Sequence, residues 1–287
     1  MTHDEGIDSP VGGGSVDRRT AIVSLAAVLA AAGCSSDVTQ GVRTTSTKRP
    51  TTGGPTPVAT SPTTTQGGGG ATTEALARSA EPSIATLPGP DIVNGPRGRQ
   101  EVALTFHGAG DRSLTEQILR DCADHEARIT VFAVGQWLAA TPSLGAQILS
   151  AGHELGNHTW SHQQMPTLSA QAAFDEIRRG AEAVRAATGS TGWWFRPSGT
   201  PHSTATIREA ASRSGYKRCV SYDVDPADYR DPGASLVVSR TLQQVRPGSI
   251  VSLHLGHIGT VQAFPRILVG LSAKGLVPVT LSRLLRD

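Results

Sequence analysis

Two histidines four positions apart, His158 and His162 in the run His158-Thr159-Trp160-Ser161-His162, open the search for chemistry in this 287-residue chain. At that spacing both imidazoles share one face if the segment is helical. Both can then reach one divalent ion of the kind imidazole prefers, zinc above all, with cobalt or manganese as alternatives. A catalytic site of this type needs a third protein ligand and an open position for water. His254 ends the apolar run Ile250-Val251-Ser252-Leu253. An imidazole there titrates near working pH and reads as a general acid, its tautomer held by a carboxylate such as Asp225 or Asp228. Arg196, set between Phe195 and Pro197, can pair with a carboxylate or bind substrate. His107-Gly108-Ala109-Gly110-Asp111 is a glycine-rich turn with one imidazole and one carboxylate. It is not a phosphate loop, because no Gly-Lys-Ser/Thr follows. Trp193 and Trp194 are adjacent, so in a strand they face opposite ways and at least one belongs to the core. Trp194 and Trp160 are the candidates for stacking on a sugar.

These groups need elements to position them. Glu101–Phe106, Ile129–Val134, Glu154–Asn157, Trp193–Phe195, Arg218–Tyr222, Ser249–His254 and Leu276–Val279 read as strands. Helical spacing covers Leu114–Ala127, Pro142–Ala151, Ser169–Ala187, Thr204–Ser214, Ala234–Val245 and Val261–Lys274. About seven strands alternating with helices predict an α/β domain with a parallel sheet, open or closed into a barrel. His107, His158, Arg196, Asp225, Asp228 and His254 all follow strands. In barrels of this type, residues at the C-terminal strand ends converge on one face.

The chain divides by composition. Of its 32 glycines and 18 prolines, 15 and 9 fall in the first hundred residues, and that part lacks the apolar content for a core. Thr20–Ala32 is apolar and small, preceded by Arg18-Arg19 and followed by Gly33-Cys34. About a dozen residues are too few to span a hydrocarbon core of ~30 Å. The pattern predicts an export signal over residues 1–34. The paired arginines hint at twin-arginine export, and Ala31-Ala32-Gly33-Cys34 resembles a lipobox whose Cys34 takes up lipid. A plain secretory signal cleaved near Ala32 is the alternative. Residues 35–96 read as a disordered Thr/Pro/Gly-rich linker, which cannot offset the entropy lost on folding. As a coil of ~60 residues it spans roughly 40 Å. The expected location is outside the cell, lipid-anchored at the outer face of the cytoplasmic membrane.

The 26 basic and 24 acidic side chains leave a formal charge of +2, which excludes an electrostatically driven nucleic-acid binder. Three cysteines cannot build a disulfide framework, and Cys122 and Cys219 are expected as buried thiols. The sequence implies no protein partner, and contact with a membrane only through the lipid.

From Glu101 to Asp287 the motif order resembles the polysaccharide deacetylases of carbohydrate esterase family 4, the NodB-homology domain. HTWSH is similar to the family's His-Ser/Thr-x-x-His metal motif, and Leu253-His254 to its Leu-His motif. Phe195–Gly199 (FRPSG) resembles the Arg-Pro-Pro-Tyr-Gly motif, and Asp228-Tyr229 stands where the family has Asp-Trp. The resemblance implies a distorted (β/α) barrel over residues 97–287 that binds a divalent metal and removes N-linked acetyl groups from a polysaccharide. Peptidoglycan is favoured because the tether holds the domain beside the wall. It further implies His158 and His162 as metal ligands, His254 as the acid, and Arg196 and Asp228 as groups that orient and tune the catalytic ones.

The family's Thr-Phe-Asp-Asp-Gly motif is Thr105-Phe106-His107-Gly108-Ala109 here, so its carboxylate ligand is missing. His107 as ligand or base is ranked first, and Asp111 as substitute ligand second. If His107 is the ligand, Asp111 or Asp225 becomes the candidate base. A glycan-binding domain without activity and a hydrolase of other small C–N bonds are the rival readings.

Overall fold

The computed structural model describes Leu87 and residues 89–286. The expected export signal, Cys34 and most of the expected linker lie outside the described residues. Within them the strands are β1 (Asp91–Ile92), β2 (Glu101–Gly108), β3 (Thr130–Ala133), β4 (Glu154–Asn157), β5 (Cys219–Val220), β6 (Ile250–His254) and β7 (Val277–Val279). The helices between and after them are α1 (Arg112–Asp124), α2 (Gly135–Ala140), α3 (Pro142–Ser150), α4 (Ala170–Thr188), α5 (Ala205–Arg213), α6 (Ala234–Gln244), α7 (Ile258–Ala273) and α8 (Leu281–Leu284).

All pairings between these strands are parallel. The order β4-β3-β2-β6 forms one sheet, with β7 paired to the start of β2, while β1 pairs β5. Single bridges extend the path, from Asn157 to Phe195, Phe195 to Cys219, and Val224 to Val251. The strand set therefore curls round on itself, joined at its weak side by one-residue contacts. The expected strand at Trp193–Phe195 is only such a bridge. The domain also starts earlier than expected. Asp91 and Ile92, assigned to the linker by composition, are buried in β1 against Cys219 and Val220.

Alternation along the strands separates two cores. Val102, Leu104 and Phe106 of β2, with Val131 and Ala133 of β3, face the helix layer with Ile118, Phe264 and Ile267. Ala103, Phe132, Val220, Ile250 and Val279 fill the interior with Ile92 and Trp194. By the same alternation Thr105 and His107 point inward, and residue 108 falls on the outer face. Cys122 and Cys219 are buried free thiols. Helix α4 is begun by Ser169, whose side chain accepts from Ala172 N, and ended by Gly189 in the left-handed conformation.

Candidate active site

Strand register brings the histidines together. His107 and His254 are partners across β2 and β6, and His158 continues the β3–β4 ladder by donating its N–H to Ala133 O at 2.9 Å. The His107 ring lies 4.4 Å from His158 on one side and 4.4 Å from His254 on the other. His162 follows, 5.0 Å from His158. The segment His158–His162 is not helical. Thr159 and His162 both have left-handed backbone (φ 66° and 59°), so a tight loop brings the two rings together.

That loop is built from beneath. Asn157 Oδ1 accepts from Thr159 N at 2.9 Å, and its Nδ2 donates to Ile177 O in α4. Glu176, buried in α4, accepts from the Trp160 and Ser161 amides at 3.1 and 2.8 Å and from the Ser161 hydroxyl at 2.7 Å. Gly180 completes the fit. A Cβ there would collide with Asn157 Oδ1 and lie 2.8 Å from Thr159 C. The sequence reading missed Glu176 and Asn157. The signal for Glu176 is a carboxylate inside the apolar stripe Ala173, Ile177, Val184 of an amphipathic helix.

His158 is 1% exposed. Its Nδ1 donates to the Arg196 carbonyl oxygen at 2.9 Å, which leaves Nε2 as an unprotonated lone pair. That Nε2 is buried with no hydrogen-bond partner. Burial holds the His158 pKa well below the ordinary histidine value, with His162 adding to the effect, and burial lowers His162 as well. A ring nitrogen fixed by a carbonyl, with the other aimed at nothing, is the arrangement of a metal-ligating histidine.

Asp228 resolves which carboxylate serves His254. His254 Nδ1 meets Asp228 Oδ1 at 2.7 Å, and the His254 amide donates to Oδ2 at 2.8 Å. Thr260 Oγ1 at 2.6 Å and Tyr229 N at 3.0 Å also donate to this carboxylate. Asp228 is therefore an acceptor on all sides. It fixes His254 with Nδ1 protonated and Nε2 turned to the site. Thr260, in α7, was not legible in the sequence. Asp225 instead accepts from Ala227 N at 2.8 Å, and its charge favours the Arg196 cation.

Arg196 is buried across the interior. Its Nη1 donates to Thr105 Oγ1 (2.8 Å) and His107 Nε2 (3.1 Å), its Nη2 to Ser221 O (2.9 Å), and its Nε to Val220 O (3.3 Å). The guanidinium stacks on Phe132 at 4.2 Å. Burial lowers its pKa to about 9. Burial also holds His107 well below the ordinary value, followed by the fields of His158, His254 and Arg196.

The remaining candidates are placed as follows. Asp111 is exposed at the N-cap of α1, and its side chain makes no cap hydrogen bond. It stands on the loop that Trp137 pins by donating to Gly110 O at 2.9 Å. A Cβ at Gly108 would meet Val131 Cγ1 at 2.9 Å and Ala133 Cα at 3.0 Å, so that position is packed against the outer core. The expected sugar-stacking role of Trp194 is corrected. It is 1% exposed in the interior core and donates its indole N–H to Glu154 Oε1 at 2.9 Å and Ser282 Oγ at 3.1 Å. Its neighbour Trp193 carries the outward face. Trp160 is half-buried, with the Arg179 guanidinium over its ring at 4.3 Å. Tyr229 is exposed at the mouth, 5.3 Å from the His254 ring.

A sequence model described as polysaccharide deacetylase matches residues 94–219. A peptidoglycan-N-acetylglucosamine deacetylase of Bacillus cereus is 31% identical over 201 residues, covering 67% of this chain and 91% of that protein. A chitooligosaccharide deacetylase of Bradyrhizobium is 30% identical over 162 residues, covering 56% of this chain and 73% of that protein. Among solved structures, a family-4 carbohydrate esterase from Streptomyces lividans in complex with acetate superposes with TM-score 0.58 at 30% identity, covering 62% and 91% of the two chains. A pseudoenzyme of the same family from Bacillus anthracis superposes with TM-score 0.64 at 25% identity, covering 70% and 72%.

Proposed function

The chain belongs to the polysaccharide deacetylase family, and from that premise we propose that it hydrolyses N-acetyl groups on an envelope polysaccharide, peptidoglycan before other glycans. The observation that carries the reading is the buried, unpartnered Nε2 of His158, two rings away from the Asp228–His254 pair. A catalytic base or acid and an orphan lone pair then face one space.

The donors fit a divalent cation at two positions, His158 through Nε2 and His162. Gly108 contributes no third ligand, and among the described residues no group of three or more His, Cys, Asp or Glu side chains is gathered as a metal site. When bound at these two imidazoles, a metal such as zinc supplies Lewis acidity and a more acidic water. The rest is done by the chain. His254 Nε2, its tautomer set by Asp228, accepts the proton of the water that attacks the acetyl carbon. Asp228 stabilises the imidazolium that results. The same Nε2–H is then given to the amide nitrogen as the C–N bond breaks, releasing acetate and the free amine.

The reading of location rests on sequence alone. A lipid on Cys34 and a polar linker would keep the domain beside the wall, which is why peptidoglycan is put first. Mass spectrometry of muropeptides after incubation of peptidoglycan with the protein tests the substrate. The expected products are 42 Da lighter per acetyl group lost (~42 Da for C2H2O), on intact sugars with unchanged peptides. Unaltered muropeptides from wall that the protein binds would leave a glycan-binding domain.

A further inference from the structure

We propose that His107 works as a fixed hydrogen-bond donor to the acetyl oxygen, neither metal ligand nor base, because Arg196 holds it in the Nδ1–H tautomer. This rests on the deacetylase reading above and names a further residue for that reaction.

A guanidinium N–H donates and never accepts. Arg196 Nη1, 3.1 Å from His107 Nε2, therefore engages the lone pair on that nitrogen. The Ser252 hydroxyl lies 3.4 Å from the same atom. Arg196 cannot turn away to release it, since Thr105 Oγ1, Ser221 O and Val220 O fix the guanidinium on its other sides. With Nε2 accepting, the imidazole carries its hydrogen on Nδ1. The buried side-chain atoms lacking a partner include His158 Nε2 but not His107 Nδ1, and the His107 side chain is partly exposed. Nδ1–H is thus open to the cleft, and the ring that carries it lies between those of His158 and His254, with centroids 4.4 Å from each.

Both ring nitrogens are thereby committed, one as acceptor from Arg196 and one as donor to the cleft. A ligand needs a lone pair facing the metal, and a base needs one facing the water; His107 offers neither to the site. In this proposal His107 takes neither of the roles expected of it in place of the missing carboxylate, ligand or base. A preorganised neutral N–H is suited to a different task, stabilising oxygen that gains negative charge as the tetrahedral species forms. It makes a hydrogen bond there and transfers no proton, so the proton balance of the His254 steps is unchanged.

Two measurements test this on the full protein. Long-range 1H–15N correlation spectra of 15N-histidine-labelled protein, assigned by loss of signals in His107→Asn, report the tautomer without any turnover. The expected pattern is Nδ1 protonated and Nε2 unprotonated, with and without added zinc. An Nε2–H pattern, or a His107 nitrogen that shifts as a ligand when zinc is added, would overturn the proposal. In kinetics on an N-acetylated chitooligosaccharide, His107→Ala should lower kcat about 10²-fold with little change in KM, as loss of one oxyanion donor does. His107→Asn, whose side-chain N–H stands near the position of Nδ1, should recover most of that loss. Equal loss in both variants would contradict the donor role. No turnover in the unsubstituted protein would overturn the deacetylase reading and the catalytic role with it, while the spectra would still decide the tautomer.

Discussion

Asp228 is the residue on which the proposed proton transfers depend most. Its carboxylate receives His254 Nδ1, the His254 amide, Thr260 and the Tyr229 amide, so it has no lone pair to spare and one function, orienting His254. Asp228→Asn keeps the volume but removes the charge that stabilises the imidazolium and can invert the tautomer. The expected result is a fall in kcat of about 10³–10⁴-fold with the fold intact, as for other buried His–Asp pairs. Circular dichroism and initial rates check it, and a loss under tenfold would remove Asp228 from the mechanism. Much at this scale was legible in the sequence. Residue types and strand-end positions singled out His158, His162, His254, Arg196 and Asp228. The roles of His107 and Trp194 were not legible, because each depends on which neighbour meets a particular atom. Arg196 reaches His107 from 89 positions away, and Glu154 reaches the Trp194 indole from 40.

At the scale of elements, the loop carrying His158 and His162 depends on α4. Glu176 holds its amides, and Gly180 lets the helix approach Asn157 and Thr159. Glu176→Gln leaves a side chain of the same size with one acceptor oxygen and no charge. Zinc affinity, read by competition with a chromophoric chelator, should weaken by about 10–100-fold, the usual effect of losing an outer support of a metal ligand. Unchanged affinity would show that the loop holds its shape unaided. Gly180→Ala adds a methyl group where no space exists and should cost about 1–3 kcal/mol in denaturant unfolding, despite the higher helix propensity of Ala. Periodicity located the long elements well. The expected helix Ser169–Ala187 is observed as Ala170–Thr188. What failed was short or irregular. Two-residue β1 is too brief to show alternation, α2 and α8 carry too few turns for a stripe, and the left-handed residues Thr159 and His162 have no glycine to announce them.

For the whole molecule, buried neutral histidines tie stability to pH. Burial lowers His107 and His158 well below the ordinary value and His153 to about 4, with Arg128 adding to the last. The unfolded chain takes up protons at these groups below about pH 6.5, while the folded chain does so only at lower pH. Their contribution to stability is therefore complete above about pH 6.5 and is lost as pH falls towards the folded values. The Tm of metal-free protein should decline from pH 7 to pH 5. His153→Gln, outside the site, should flatten that decline, and an identical profile in this variant would contradict the assignment of His153. At this scale the sequence showed an α/β barrel-like domain but placed its start after Asp91, because a linker's composition does not reveal which of its last residues find a sheet edge.

The claim on which the catalytic roles depend is that the site is a working hydrolase despite Gly108. Acetate release from N-acetylated glycan, by protein stripped of metal and then supplied with zinc, cobalt or manganese, tests it most directly. Release is expected to require added metal and to disappear in His158→Ala. No release with any of the three metals, from a glycan the protein demonstrably binds, would contradict it and leave a carbohydrate-binding domain on a deacetylase fold.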